Sequence, residues 1–484
     1  MTNNEFKEWL SKHDSIRCIL VELSVMTAGG LITRYLSNKS FITGTGDVPE
    51  NVAYLPIITG EFTVTEELSL DGTASIGYGD IEINNDAGQY DSWLNEGWNN
   101  QPINVYLGDI RWLRGDFKRI YSGAISRIDS RTRTRLNIKL NDKLQFLNKP
   151  LTETKVGGTG ENRDVLKPSC YGEVHNVKPV MINSVLLKYA VHTGEIERII
   201  EVRDDGNPVP FLQDIATGTF TLYSKPRGVI TASVQGDKAG GIYTNNPGEI
   251  VKRIIKLNGF TDSDIDLVSW NDFMQFYQQP IGVYLTERIN TLAVCAQILA
   301  SINATIAMNS DSKAFLFKMK MPTNSTNEIT NQVMTSDSFE VLERPDIQAA
   351  AKIGYCLNWT VQENLLTGIP EQHKLYFAKE WLTVTKVNTA SATANKLPVE
   401  PVQKDTYLLT EVDATNLADE LVNLWSTQRT IFGYGGAPSL ITEQLGSSQM
   451  IWHTRFDFSN SKLGLVIGIQ KKHLEGRTVI KVLV

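Results

Sequence analysis

Apolar and polar residues alternate with a period of two over much of the first 150 positions. "FTVTEELSL" (62–70), "INVYLGD" (103–109), "RIYSGAISRI" (119–128) and "RLNIKLND" (135–142) each predict a half-buried strand. Turns rich in Gly, Asp and Asn separate them, and short strands so spaced predict a sandwich or barrel rather than a parallel α/β sheet. The period then changes. "PGEIVKRIIKLNGF" (247–260) and "YLTERINTLAVCAQILASINA" (284–304) predict helices, the first punctuated by Pro247, Glu249 and Gly259. Strand-like "ERIIEVRDD" (197–205) and "FTLYS" (220–224) precede them. "AAAKIGYCLNWTVQ" (349–362) is again strand-like, and "NTASATANKLPVEPVQKD" (388–405) predicts a long exposed loop. A helix is predicted over 413–431, with Leu417, Leu421, Leu424 and Trp425 on one face and Asp413 or Thr415 as N-cap. Two β runs, "LGLVIGIQ" and "RTVIKVLV", follow.

These signals divide the chain into an N-terminal segment 1–30, a β domain 31–150, a Gly/Pro-rich linker 151–185, a mixed α+β middle section 186–340 and a second β domain 341–484. A weak internal echo joins the two β domains. "SGAISRIDSRTRTRLNIKL" (122–140) and "LGLVIGIQKKHLEGRTVIKVL" (463–483) share a glycine, two β-branched residues three apart, a polar hairpin tip, Arg-Thr, then alternating apolar residues around a lysine. Any two exposed hairpins share some of this; if the echo is real, the chain holds two related β modules.

At 484 residues, with 41% hydrophobic and 21% charged residues, the chain reads as folded and multidomain. A net charge of −7 argues against a general nucleic-acid binder. The charge is uneven, since residues 111–135 carry eight Arg and Lys against Asp116 and Asp129. That run predicts either a solvated strand face or a basic surface meeting an acidic subunit. Cys18, Cys170, Cys295 and Cys356 form no C-x-x-C pair and read as reduced, mostly buried thiols. The polar N-terminus lacks a signal-peptide core, so no export is expected. The uncharged stretch 291–308 reads as a buried helix, not a membrane span, because Gln297, Ser301, Asn303 and Thr305 interrupt it. Without export, the Asn-x-Ser/Thr matches at Asn38, Asn324 and Asn358 carry no meaning.

Candidate chemistry is sparse. "IEINNDAGQYDSWL" (81–94) gathers Asn84, Asn85, Asp86 and Asp91 around Gly88. With Gly88 at position 6 of a calcium loop, Ile83, Ala87 and Leu94 occupy ligand positions, so an EF-hand is excluded. Asp86 and Asp91 could form a glycosidase pair, but these residue types are also those a tight turn needs. The stretch therefore predicts a barrel strand (81–85), a corner (86–91) and an excursion anchored by Trp93. "VGGTGENRD" lacks the Lys-Ser/Thr of a phosphate loop, and "GYGG" (433–436) is no better. His13, His175, His192, His373, His453 and His473 show no ligand spacing. No catalytic, cofactor-binding or metal residue is nominated, and no cofactor is expected. Trp93, Trp98, Trp112, Trp359, Trp425 and Trp452 read as core, with sugar platforms or interface anchors as the alternative; Trp93 or Trp98 is expected to be exposed.

In order along the chain, "VAYLPIITGEFTVTEELSLDGTASIGYGDIEINNDAGQYDSWL", "VYLGD", "IYSGAI", "LKPSCYGEVHNVKPV", "GEIERIIEVRDDGNPV", "LLTEVDATNLADELVNLWSTQRTIFGY" and "LGLVIGIQ" resemble the central hub proteins of bacteriophage tail tips and baseplates. The resemblance spans most of the chain from about residue 16 and is weakest over 345–400. It implies a mainly β, multidomain fold with two tube-like β-barrel modules, 31–150 and 341–484, plus inserted mixed domains. It also implies a non-enzymatic homotrimer forming a pseudo-sixfold ring that adapts a sixfold tail tube to a threefold tip. Expected partners are the tail tube or distal tail protein on one side and a tip, spike or fibre protein on the other. The lumen would hold a tape-measure protein, with DNA only in passage, an acidic lining to avoid phosphate, and the basic 111–135 segment facing neighbours. No membrane insertion is implied; the place is the virion tail tip, after synthesis in the bacterial cytoplasm. No added lysozyme, peptidase or iron-sulfur domain is expected. A distal tail ring or other baseplate component is the alternative within this class. A carbohydrate-binding or glycan-cleaving β protein is the alternative outside it.

Overall fold

The computed structural model describes residues 3–69, 74–309, 311–325, 327–363, 365 and 368–484. The alternation of the first third builds one sheet. After helix α1 (Asn3–Leu10) come β1 (Arg17–Thr27), β2 (Gly30–Ser37), β3 (Phe41–Ile42), β4 (Ala53–Pro56), β5 (Thr63–Leu68), β6 (Ala74–Tyr78), β7 (Ile81–Asn84), β8 (Pro102–Asp109), β9 (Lys118–Thr132) and β10 (Arg135–Asn141). Eight of these order as β3-β4-β2-β1-β8-β9-β10-β7. Ile19, Val21, Leu23, Ile103, Val105, Leu136 and Ile138 turn inward onto Trp93 and Trp98, as period-two side-chain direction requires. The segment after β4 brings the two ends of the sheet together. Ile58 bridges Ile83, and the Thr59 amide donates to the Glu82 carbonyl at 3.0 Å. Among the described residues the ends of the sheet are joined by this bridge and not by a full ladder. Residues 1–30, read from the sequence as a separate segment, supply β1 at the centre of this sheet, with Phe6, Trp9 and Leu10 of α1 in the same core.

The expected linker 151–185 is more ordered than its glycines suggest. It contains β11 (Ser169–Val177) and β12 (Val180–Asn183), followed by β13 (Lys188–Ala190), β14 (Ile196–Asp204), β15 (Asn207–Pro208), β16 (Phe211–Asp214), β17 (Thr219–Leu222), β18 (Ile230–Asp237) and β19 (Gly282–Leu285). Two sheets, β15-β14-β18-β11-β19 and β12-β13-β17-β16, pack around Val174, Tyr189, Val202, Phe220 and Val234. Here glycine marks close backbone approach rather than a break. A Cβ on Gly172 would lie 2.0 Å from the Ile281 carbonyl oxygen, and one on Gly282 would lie 1.6 Å from that of Glu173.

Helices α2 (Pro247–Leu257), α3 (Leu267–Phe276) and α4 (Thr291–Ala300) follow, with the hairpin β20 (Ala304–Met308) and β21 (Ala314–Lys318). Asn246 caps α2, its side chain accepting from the amides of Gly248 and Glu249. The helix predicted over 284–304 begins seven residues late. Gly282–Leu285 is a fully buried strand, a run whose apolar continuity suits strand and helix alike, and the Asn290 side chain then starts α4 by capping Leu292 and Ala293.

The final third holds β22 (Asn327–Ile329), β23 (Glu340–Glu343), β24 (Ala350–Tyr355), α5 (Glu371–Phe377), β25 (Leu382–Val387), α6 (Thr389–Asn395), β26 (Gln403–Asp405), α7 (Glu411–Trp425), β27 (Ile431–Gly436), β28 (Ser448–Ile451), β29 (Lys462–Lys472) and β30 (Arg477–Leu483). The second β module orders as β22-β28-β29-β30-β27-β23, with β5 joining β29 from outside this path. The segment between β23 and β27 does not belong wholly to it. Ile353, Tyr355, Leu408, Ala414, Leu417 and Ala418 share a core with Ile254, Val294 and Leu316 of the middle section. Leu424 and Trp425 at the end of α7 instead join Ile431, Leu465 and Leu483 of the second module. Helix α7 starts at Glu411 under a cap from Thr410, not Asp413 or Thr415, and ends at Trp425. The predicted loop 388–405 contains α6 and β26.

The chain is mainly β and multidomain, with mixed α+β elements between and within the two β modules.

Candidate assembly site

The sequence echo corresponds to a repeated piece of structure. In the first module β8-β9-β10-β7 are neighbours, and in the second β28-β29-β30-β27 are neighbours in the same order. All adjacent pairs in both quartets are antiparallel. The register repeats as well. Lys139 opposes Arg127 and Leu140 opposes Ile125, leaving Ser126 as a bulge. Lys481 opposes Gly468 and Val482 opposes Val466, leaving Ile467 as the equivalent bulge. Ile138 opposes Ile128 as Ile480 opposes Ile469. The flanking ladder ends at matching places too, β8 at Ala124 and β28 at Leu465. A bulge fixes local twist and register, so sharing one at the same step of two hairpins marks two related modules.

Beyond Leu465 the outer side of β29 is not left open. The β5–β6 hairpin, which belongs by sequence to the first module, crosses over and pairs Thr63–Glu67 with Gly468–Lys472. The joint is chemically specific. Lys471 and Glu66 meet at 2.9 Å with side chains only 3% and 7% exposed, while Lys481 reaches Glu67 over side-chain-free Gly468. His473 is buried and donates a ring N–H to the Phe62 carbonyl at 3.1 Å, and burial pushes its pKa down to about 3. The Glu61 carboxylate accepts the amides of Leu474 and Glu475, and Arg17 donates to the Leu474 carbonyl. Nearby, burial pushes Asp142 up to about 7, against the hydrogen bond it receives from the Leu144 amide. A cavity of about 30 Å³ touches Glu66, Lys471 and His473; that is room for about one water, not a substrate.

The corner at 81–94 falls as expected into strand, turn and anchored excursion, with Ala87 and Gly88 at positive φ and short 3₁₀ segments at Asp86–Gly88 and Asp91–Asn95. Its organiser is Asn85, which sequence reasoning did not single out. Asn85 is 1% exposed; its amide side chain donates to Asp91 at 2.7 Å and accepts from the Tyr90 amide at 2.8 Å. Asp86 is exposed and accepts from the Asn84 side chain. Both carboxylates therefore serve the turn. Trp93 and Trp98 are both buried, against the expectation that one is exposed. Arg34 lies 4.0 Å over the Trp93 ring and pairs with Glu96. Trp452 is the exposed tryptophan among those considered.

The basic run is not uniformly solvated. Arg114 is buried, pairs with Glu22 at 2.6 Å and stacks on Tyr106. Arg111 pairs with Asp109, Arg127 with Asp129 and Arg135 with Glu82. Cys18 and Cys295 are pushed up to about 12 by burial, so their thiols are inert. His192 accepts the Cys170 amide and faces Asp237, which Arg253 also holds. "GYGG" is strand β27, where a Cβ on Gly433 would meet Leu342 of β23 at 2.8 Å. Among the described residues no cluster of three or more His, Cys, Asp or Glu could hold a metal, and no helix is long and apolar enough to cross a membrane.

No sequence-family model and no curated protein sequence matches the chain. Several solved structures are similar at low identity. A chain of the virion of a native gene transfer agent particle is 11% identical, with a TM-score of 0.45 over 70% of this chain and 91% of that one. The 43 kDa tail protein of prophage MuSo2 from Shewanella oneidensis is 8% identical, with a TM-score of 0.40 over 96% and 98%. Prophage tail protein gp18 from Listeria monocytogenes EGD-e is 10% identical, with a TM-score of 0.39 over 90% and 92%.

Proposed function

We propose that this chain is a non-enzymatic structural hub of a phage tail tip or baseplate, assembling as a homotrimer into a ring of six quasi-equivalent β modules. The observation that carries the reading is the repeated quartet with its shared bulge, joined within one chain by a hairpin that passes from the first module to the second. A chain with two related modules needs only three copies to present a sixfold-like face, while its unlike inserted domains keep threefold symmetry elsewhere. Such a ring adapts a hexameric tail tube or distal tail ring to a threefold tip, spike or fibre. Its lumen would pass DNA and seat a tape-measure protein. The sequence resemblance over most of the chain supports the same reading, and the two carboxylates that might have formed a hydrolytic pair are engaged in a turn.

Mass measurement by light scattering, with negative-stain class averages, tests it. A trimer of about 162 kDa, three times the 54.0 kDa chain, with six lobes around a hole is expected. A stable monomer at assembly concentrations overturns the proposal.

A further inference from the structure

The repeat leaves one edge unmatched. In the second module the outer side of Gly468–Lys472 is covered by β5. The equivalent stretch in the first module, fixed by the shared bulge and by Ile128 matching Ile469, is residues 127–132 of β9. There the β8 ladder has already ended at Ala124, and the last backbone bonds on that side join Ile125 to Asn100 and Gln101. No strand pairs the outer side of 127–132 among the described residues. An edge of unpaired N–H and C=O groups is a template for another strand.

The second module also ends in an edge strand. Among the described residues β23 pairs only with β27, and it is exposed at all four residues, Glu340, Val341, Leu342 and Glu343. It lies beyond β27, the equivalent of β7, and β7 is the strand that directly follows the crossing hairpin. The open edge of β9 therefore occupies the place that the intrachain joint uses on β29, and β23 lies beside β27 where Ile58 and Thr59, which lead into β5, lie beside β7 in the first module. Their chemistry matches as well. The intrachain joint sets Glu66 and Glu67 against Lys471 and Lys481. The free edge of β9 carries exposed Arg127, which pairs within the strand with Asp129, and continues into exposed Arg133 and into Arg135, which pairs with Glu82, at the hairpin tip; β23 is bounded by two glutamates.

We infer that the open edge of β9, over residues 127–132, receives the acidic edge strand β23 (Glu340–Glu343) of a second copy of this chain. The inference rests on the ring reading above and names the contact that closes the ring. Each copy then offers one edge of each kind, a heterologous contact that can close on itself.

Mixing two singly substituted proteins tests it, because a disulfide between them can form only across copies. Ser130→Cys is combined with Val341→Cys or with Leu342→Cys under mild oxidation, and the mixture is run on a non-reducing gel. Cys18, Cys170 and Cys295 are buried and Cys356 is half-buried, so the unsubstituted protein sets the background. Cross-linked dimer at least tenfold above that background is expected. It should be stronger for one of the two β23 positions, because adjacent residues of a strand face opposite sides. Val185→Cys, 90% exposed in the middle section, should stay at background with Ser130→Cys. A trimer by light scattering with no cross-link at either position overturns this contact and leaves the hub reading standing. A monomer overturns both.

Discussion

Two buried ionisable groups at the junction between the modules should give it opposed pH dependences, which substitution can separate. His473 is held neutral, its folded pKa pushed down to about 3 from an ordinary 6.5. Below 6.5 the opened state takes up a proton that the closed state refuses, so stability falls as the pH drops from about 6.5 toward 3. Asp142 is held protonated, pushed up to about 7 from 3.8. Between those values the closed state binds the proton more tightly, so stability rises as the pH falls from about 7 toward 4. From pH 7 to pH 5 linkage gives a loss of about 2 kcal/mol for the histidine and a gain of about 2 kcal/mol for the aspartate. The two nearly cancel. Replacing His473 by Gln keeps a side-chain donor for the Phe62 carbonyl and removes the titration, so the stability of the variant relative to the parent should rise by about 2 kcal/mol on going from pH 7 to pH 5. Native-state hydrogen exchange of the Gly468–Lys472 amides reads this opening, once intrinsic exchange rates are corrected for pH. If the difference between variant and parent is the same at the two pH values, His473 is not held neutral by burial and the reasoning fails.

Asp142→Asn should shift in the opposite sense in the same assay, losing about 2 kcal/mol relative to the parent between pH 7 and pH 5; an unchanged difference would show that Asp142 is ionised in the folded protein. At the corner, Asn85→Ala should cost about 1–3 kcal/mol in urea denaturation, because it strands a buried amide, whereas exposed Asp86→Ala should stay within about 0.5 kcal/mol. Equal effects would remove Asn85 as the organiser. Lys471→Met alone leaves Glu66 buried without its partner and should destabilise by about 3–5 kcal/mol, and adding Glu66→Leu should recover most of that. A double variant no more stable than the single would mean that the pair is not the source of the cost.

What could be read in the sequence follows what a strand pattern records. Alternation gives strand and face, so β8, β9, β10, β29 and β30 were legible, and so was the echo between the hairpins, because their apolar and lysine positions keep step. Alternation says nothing about which strand is the neighbour. "FTVTEELSL" predicts β5, yet nothing in it says that β5 leaves its own module to pair with β29, where Lys471 lies 405 residues from Glu66. Glycine misled in the middle section for a related reason. Gly172 and Gly282 are required by close backbone approach between distant strands, and a local reading takes them for breaks. The same limit hid Asn85: composition announced a turn, but only burial distinguishes the amide that organises it from the aspartates on its surface. Residues 345–400, where the resemblance was faintest, share a core with the middle section, so their pattern answers to partners outside the β module.

The two joints of the proposed ring are unlike, and salt should separate them. The intrachain joint is covalently tethered, so its strand is always at hand, and its Lys471–Glu66 pair is shielded from solvent. The interchain joint must form by encounter, and its charges are exposed; the Arg127 side chain is 66% exposed even while paired with Asp129. Exposed pairs are worth about 0.2–1 kcal/mol each and weaken as the Debye length shrinks from about 10 Å at 0.1 M salt to about 3 Å at 1 M. With two such pairs per contact, one for each glutamate of β23, the dissociation constant of the ring should rise about tenfold or more between 0.05 and 0.5 M salt. Exchange protection of Gly468–Lys472 should stay nearly unchanged over the same range. Sedimentation velocity across a salt series measures the first quantity and hydrogen exchange the second. If the ring is indifferent to salt while the β5–β29 joint loosens, the assignment of shielded and exposed charges to the two joints is reversed.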